Sequence, residues 1–267
     1  MTRVAVLGCG PAGLLAAEAA DQCGFEVFIF SKKRKSEMYG AQYLHRPIPN
    51  ISSPQDQIQI AYHLEGTEDG YRKKVYGENW SGTVSPEDLI GEHDGWDIRA
   101  AYDLLWRKWM PSIHDIDLSG SGVLDQLENT FLNQGSSEVV WISSIPASLL
   151  CDRKSEHAFS SQAIWAIGDA PERGVFSPVS IPDNTVVCNG ERVPGWYRAA
   201  SVLGYRTAEW PEGSKPPIEG VSPVLKPLST TCDCRPHFHR VGRYGKWEKG
   251  VLAHSAFFET VEGLGGF

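Results

Sequence analysis

The stretch Arg3-Val4-Ala5-Val6-Leu7-Gly8-Cys9-Gly10-Pro11-Ala12-Gly13 decides the fold. Arg3 to Leu7 is apolar after its first residue and reads as a buried strand. The glycines at 8, 10 and 13 make a turn, and Leu14 to Cys23 is an alanine-rich helix that Gly24 ends. Phe25 to Phe30 is a second buried strand. Strand, glycine turn, helix and strand make a βαβ opening, and strands apolar throughout suit a parallel sheet covered on both faces. Gly8 permits the tight turn, Gly10 lets backbone touch a pyrophosphate, and Gly13 lets the helix pack close to the sheet. The helix start then offers free N–H groups to the anion. Gly8, Gly10, Pro11, Ala12 and Gly13 are therefore the first candidate cofactor-binding residues.

The position ending the second strand commonly carries Asp or Glu, which grips the adenosine ribose. Here it is Ser31, followed by Lys32-Lys33-Arg34. A serine still makes one hydrogen bond in each direction. Basic residues at this place suit a 2′-phosphate, so Ser31, Lys32 and Lys33 are candidate cofactor residues and NADP stands as an alternative dinucleotide. The other reading of the lysines is a solvated loop.

Composition bounds what surrounds this unit. The 267 residues carry a net charge of −8, which argues against duplex nucleic acid as a bulk electrostatic partner. No apolar stretch approaches the ~20 residues that span a bilayer, and the short run Val4 to Leu7 is no signal peptide, so no membrane partner is expected and the cytoplasm is the expected compartment. The six cysteines are scattered through a long chain, which suits reducing conditions better than a disulfide scaffold. The nine tryptophans suit either a site that grips something planar or irregular core filling.

Along the chain, Gln57 to Leu64 alternates and reads as a half-exposed strand, and Gly66 to Pro86 as a polar, turn-rich segment. Ser85-Pro86-Glu87-Asp88 reads as a helix start. Trp96 to Trp109 and Gly122 to Phe131 have helical spacing, and Val139 to Ile142 is a third buried strand, followed by a short helix to Cys151. The last third is mainly β, at 163–167, 185–188, 197–203 and 205–210, with Pro211 to Pro227 a surface excursion and Glu248 to Val261 a final helix.

Four separated segments, in this order, resemble the Rossmann-fold flavoprotein group that includes UDP-galactopyranose mutases and amine-oxidase-like enzymes. They are Val4 to Phe30; Met38-Tyr39-Gly40-Ala41-Gln42-Tyr43; Val139 to Pro146, ending Ser143-Ser144-Ile145-Pro146; and the pair Gly195-Trp196-Tyr197-Arg198 … Glu209-Trp210-Pro211 with Arg240 to Trp247. The resemblance implies FAD as cofactor and a flavin-dependent oxidoreductase. It also implies that Gly40, Ala41, Gln42, Ile145, Pro146, Gly242, Arg243, Tyr244, Gly245 and Trp247 lie beside the flavin. The turn at 40–41 departs from the group's Gly-Gly in carrying Ala41. Only Tyr43 to Gln134 is left for a substrate region, so the group's substrates do not carry over; the expected partner is a small-molecule or modified-polymer substrate. A single dinucleotide loop leaves reduction of the flavin to the substrate, another protein or free NAD(P)H.

Tyr43 and His45 follow the presumed flavin turn and are the candidate catalytic residues, His45 as general base because an imidazole titrates near working pH. The commoner role of a lone His is structural. Ala166-Ile167-Gly168-Asp169 resembles a ribityl-holding step, although about a hundred residues follow it. Cys232-x-Cys234-x-x-His237-x-His239 gathers four soft ligands, but the one-residue spacing strains chelation by both thiolates, so no metal is expected there. A redox or substrate-facing thiol pair and plain structural residues are the other readings.

The expected fold is α/β: a Rossmann-type parallel sheet, a β-rich second layer over 160–240 and a small helical insert at 85–134. The expected division is a core of 1–50, 135–160 and 236–267, with 51–134 and 161–235 as a small substrate or cap region. Three functions follow: hydride transfer to FAD, mutase-like chemistry using reduced flavin as nucleophile, or a non-flavin NADP-binding protein.

Overall fold

A computed structural model describes residues 2–32, 34, 38–39, 43–78, 80, 82–120, 122–133, 139–168, 181–193 and 195–265. The chain forms two compact units, one of residues 1–35, 99–161 and 227–267, the other of 36–98 and 162–226. Set beside the expected division, 99–134, 161 and 227–235 group with the first unit and 36–50 with the second.

From the N-terminus run β1 (Arg3–Leu7), α1 (Pro11–Gln22), β2 (Glu26–Ser31), β3 (Ile58–Glu65), α2 (Glu68–Tyr76) and β4 (Gly91–Gly95). There follow α3 (Ile98–Trp109), β5 (Ile113–Asp115), α4 (Val123–Asn133), β6 (Val139–Ser143), α5 (Ala147–Leu150) and β7 (Phe159–Ile167). The remainder is β8 (Thr185–Asn189), β9 (Arg198–Val202), β10 (Tyr205–Pro211), β11 (Ser222–Thr230), β12 (Phe238–Arg240), α6 (Gly242–Lys246) and α7 (Ser255–Gly263).

The five-stranded sheet runs β12-β6-β1-β2-β5, every pairing parallel. Val4, Ala5, Val6 and Leu7 of its central strand are all 0% exposed, as a parallel sheet covered on both faces requires. Ala5 stands in register with Phe28 on one side and Trp141 on the other. Helix α1 buries Leu14, Leu15, Ala16, Ala17, Ala19 and Ala20, each leucine contributing about 2 kcal/mol of apolar burial. The seven-stranded sheet runs β11-β7-β10-β9-β8-β3-β4 and is mixed: β3 is parallel to β8, whereas β8–β9, β9–β10 and β10–β7 are antiparallel. The expected α/β class is therefore the observed one.

Several local readings are corrected. The turn-rich stretch after Gly66 holds α2, because Thr67 accepts the Gly70 N–H at 3.0 Å, acids fill the first turn and lysines the last. Ser85-Pro86-Glu87-Asp88 starts no helix beyond a single 3₁₀ turn, since the chain goes directly into β4, paired with β3. The excursion from Pro211 contains β11, whose prolines are tolerated because the strand lies at the sheet edge. No described helix is long and apolar enough to cross a membrane.

Candidate functional site

The glycine turn does what its sequence demands. Gly8 has φ +100°, a conformation open to glycine, and its N–H donates to Phe30 O at 2.9 Å. A Cβ at Gly13 would lie 2.0 Å from Gly8 O, so only hydrogen fits where α1 leaves the sheet. A Cβ at Gly10 would meet nothing within 4 Å. That open side is where a ligand's oxygens can reach backbone. Gly10, the N-cap of α1, brings no side chain to cap it, none is seen capping it among the described residues, and the first turn carries no acid. The first N–H groups of a helix have no intrahelical partner, so this start is a positive end left to an external anion.

Other segments of the first unit close on the same turn. Ser144 donates to Leu7 O through both its N–H (2.9 Å) and its hydroxyl (3.0 Å). Its Oγ would stand 2.6 Å from a Cβ on either Gly8 or Gly13, with Ile145 Cγ2 3.1 Å from the former. Gly242, at φ +69°, approaches so closely that its Cβ would lie 2.5 Å from the Ala12 methyl. A Cβ on Gly245 would lie 2.4 Å from Ser143 O, and the Val241 N–H donates to that same carbonyl at 2.9 Å. The structure thus brings Gly8 to Gly13, Ile145, Gly242 and Gly245 to one corner, while Pro146 starts α5. Arg243 donates to Pro227 O, and the buried Trp247 indole to Ser160 O at 2.9 Å, so both anchor the loop. Tyr244 stacks edge-on against Trp247.

Sequence reasoning missed Tyr102. Its hydroxyl donates to Cys9 O at 2.9 Å, so α3 props the turn from outside. Tyr102 shares the apolar helical spacing of Trp96 to Trp109, and only its hydroxyl hints at a partner. Burial pushes the Cys9 thiol up from its ordinary value, which keeps it protonated and inert.

The basic segment is already engaged. Ser31 Oγ accepts the Cys9 N–H at 3.2 Å and keeps its own proton to donate. Lys32 pairs with Asp117 at 2.7 Å, a contact that raises the ammonium's pKa and lowers the carboxylate's. Arg34 pairs with Asp103 and lies over the Tyr102 and Trp106 rings. Lys33, Gly40, Ala41, Gln42 and Asp169 lie outside the described residues.

In the second unit, the His45 ring stacks on Tyr43 at 4.2 Å and 24°. Tyr43 is buried and its hydroxyl meets that of Tyr62 at 3.2 Å. Burial, reinforced by Tyr62, drives the Tyr43 phenol far above its usual range, so it holds its proton. Gly168 bridges to Tyr39, and a Cβ on it would meet Met38 O at 2.1 Å, so that glycine serves backbone packing. Arg198 and Glu209 face each other across β9 and β10. Glu209 binds Lys226 with both oxygens at 2.7 Å, and Arg198 donates to Tyr71 at 2.8 Å. Trp96, Trp109, Trp141, Trp196, Trp210 and Trp247 are buried, which favours the core-filling reading for them.

The expected soft-ligand run separates. Cys232 and Cys234 pack with Cys151 and Phe159, whereas His237 Nε2 meets Glu128 Oε1 at 2.6 Å. Phe238 takes the buried position of β12, so strand alternation turns His239 to the opposite side, while His237 lies in the turn before the strand.

No protein-family model matches the chain. No curated protein matches it either. Among solved structures it is similar to a reduced UDP-galactopyranose mutase, with a TM-score of 0.51 at 11% identity over 99% of this chain and 93% of the other. It is similar also to a flavoprotein/dehydrogenase from Cytophaga hutchinsonii, with a TM-score of 0.51 at 14% identity over 100% and 77%. At such identities the likeness speaks for architecture, and it agrees with the strand order: this chain has the α/β fold of those two proteins.

Proposed function

We propose that the chain is an FAD-dependent oxidoreductase that passes a hydride between the flavin and a small-molecule or modified-polymer substrate. The observation that carries this reading is the convergence of residues 143–145 and 242–245 on the uncapped, acid-free start of α1. Those are the segments whose order in the chain resembles the flavoprotein group. The residues fit the group: Gly10 leaves an open approach, Ala12 and Gly13 offer N–H donors to the pyrophosphate, and Ser31 has a proton for a ribose hydroxyl. When bound, FAD supplies the two-electron acceptor that no side chain provides. His45 is the group proposed to hold and move a substrate proton, with Tyr43 keeping its ring in place.

FAD is preferred to NADP because Lys32 and Arg34 are paired with acids of the same unit. The likeness to the mutase favours a second reading, in which the reduced flavin acts as a nucleophile and no net oxidation occurs. Six cysteines scattered through a long chain support a cytoplasmic setting. The test is the visible spectrum of the purified protein, then chromatography of what it releases. Flavin bands with FAD in the extract are expected. A colourless protein that refuses FAD and binds NADP overturns the reading, and activity only after prior reduction selects the mutase-like one.

A further inference from the structure

Two loops of the first unit bring three thiols and an imidazole together. Cys151 follows α5, and His157 ends the turn in which its N–H and that of Glu156 donate to Arg153 O. Cys232 and Cys234 lie between β11 and β12. The loops are laced by the Ala158 N–H to Thr231 Oγ1 at 3.0 Å and the Thr230 hydroxyl to Ala158 O at 2.9 Å. The three cysteines are at most 9% exposed, and the His157 side chain is 10% exposed.

The distances match a single ion. Tetrahedral zinc with thiolate bonds near 2.3 Å places sulfurs about 3.8 Å apart, and sulfur about 3.6 Å from an imidazole nitrogen. Cys151 Sγ stands 3.9 Å from Cys234 Sγ, and His157 Nδ1 stands 3.4 Å from the first and 3.5 Å from the second. All four ligand atoms, Cys232 Sγ included, lie within 4.8 Å of one another.

The surroundings are those of a metal site. His157 Nε2 faces Asp233 Oδ1 at 3.3 Å, so the carboxylate lies beyond the far side of the ring while Nδ1 is turned to the two sulfurs. Asp233 is held by Arg153 at 2.7 Å. Arg240 donates to the carbonyls of Cys232 (3.0 Å) and Cys234 (2.6 Å) and lies 3.6 Å from Cys232 Sγ. Three thiolates and a dication leave one negative charge, which that guanidinium offsets. A redox pair would use two of the thiols and give the third, and the oriented imidazole, no task.

We propose that Cys151, His157, Cys232 and Cys234 form a closed, structural site for one zinc ion. Binding displaces the three thiol protons, including the one Cys234 directs to the exposed Asp152 carboxylate at 2.9 Å. Four protein ligands leave no open position for catalysis, so the ion is a staple between the two loops. Despite the one-residue spacing, Cys232 Sγ and Cys234 Sγ already lie within 4.8 Å of each other, so both thiolates reach one centre.

The test is metal analysis of the full chain purified under reducing conditions from zinc-supplemented cells, with a second batch grown on cobalt. About one zinc per chain is expected, and in the cobalt protein thiolate charge-transfer bands with the strong visible bands of a tetrahedral site. Cys232→Ser and His157→Ala are expected to lose the metal, whereas His237→Ala keeps it. If the ligand variants do not fold, the cobalt spectrum of the parent chain decides. Reduced protein with neither zinc nor tetrahedral cobalt bands overturns the proposal. So does a Cys151–Cys234 disulfide in the unreduced chain, iron with sulfide in place of zinc, or loss of metal from His237→Ala. None of these readings depends on flavin, so the site stands or falls apart from the proposed activity.

Discussion

Gly10 has φ −70° and ψ 174°, a backbone any residue adopts, and its Cβ position is open. Substituting Gly10→Ala therefore strains nothing in the ligand-free chain. Removing glycine's extra freedom in the unfolded state stabilises the fold by about 0.4–1 kcal/mol. At about 2–4 °C per kcal/mol for a chain of this size, the ligand-free melting temperature rises by about 1–4 °C. The same methyl stands where backbone must approach the pyrophosphate. Crowding of that kind costs about 1–3 kcal/mol, which weakens flavin binding about 5- to 150-fold. Gly13→Ala behaves oppositely. Its methyl would stand 2.0 Å from Gly8 O and 2.6 Å from Ser144 Oγ, and neither backbone nor a doubly bonded serine can give way. The ligand-free chain loses about 3 kcal/mol, or about 6–12 °C. Thermal unfolding of flavin-stripped protein and a flavin-fluorescence titration separate the two effects. Unchanged flavin affinity in Gly10→Ala refutes the placement of the pyrophosphate over Gly10. A lowered melting temperature in that variant refutes the claim of open space.

Lys32→Ala changes flavin affinity by less than about twofold, because the lysine is exposed and spent on Asp117; a large loss in titration would place the lysine on the cofactor instead. Glu209 is buried, which by itself raises its pKa, but Lys226 and Arg198 outweigh this and hold it at about 2. Its stabilising contribution is present above the unfolded value near 4.5 and vanishes as pH falls towards about 2, so acid unfolding monitored by circular dichroism should lose part of that limb in Glu209→Gln. Lys226→Met leaves that carboxylate buried without its ammonium partner and destabilises by about 3–5 kcal/mol, read from denaturant unfolding. Asp233→Ala frees the His157 ring and lowers zinc affinity about 10- to 100-fold in competition with a chelator, while leaving the metal-bound ligand set intact.

What was legible in the sequence was what local chemistry dictates. The opening strand, turn and helix needed no partner to be recognised, since glycine spacing and apolar runs carry the information within about thirty residues. Helix α2 was obscured because only Tyr71 and Val75 are buried, so hydrophobic periodicity is faint and the Thr67 cap is the real signal. Strand β11 was obscured by its prolines, which mark a loop unless the strand is known to lie at an edge. The thiol cluster was half legible. Cys232-x-Cys234 was visible as a ligand pair, but Cys151 and His157 are 83 and 77 residues from Cys234, and no local spacing links them. His237 and His239 are nearer in sequence, yet His237 pairs with Glu128 from the turn and His239 lies on the exposed side of β12, so sequence distance stands in poorly for spatial distance.

The zinc corner and the phosphate loop share their supports. Strand β6 leads through Ser144 and Ile145 at the glycine turn into α5 and then Cys151. Cys234 leads through β12 into Gly242, which touches Ala12. The two strands are paired, Ser143 opposite Arg240. A bond from Cys151 to Cys234 through one ion therefore ties together the two segments that fix the turn's neighbours. In a chain-entropy model, a cross-link over a loop of this length removes about 4–5 kcal/mol of freedom from the unfolded state. A corner whose contacts tolerate no added methyl at Gly8, Gly13, Gly242 or Gly245 has little slack to absorb displacement of either strand end. The staple belongs where it is because the loop it braces must keep its donors in place before any ligand arrives to hold them.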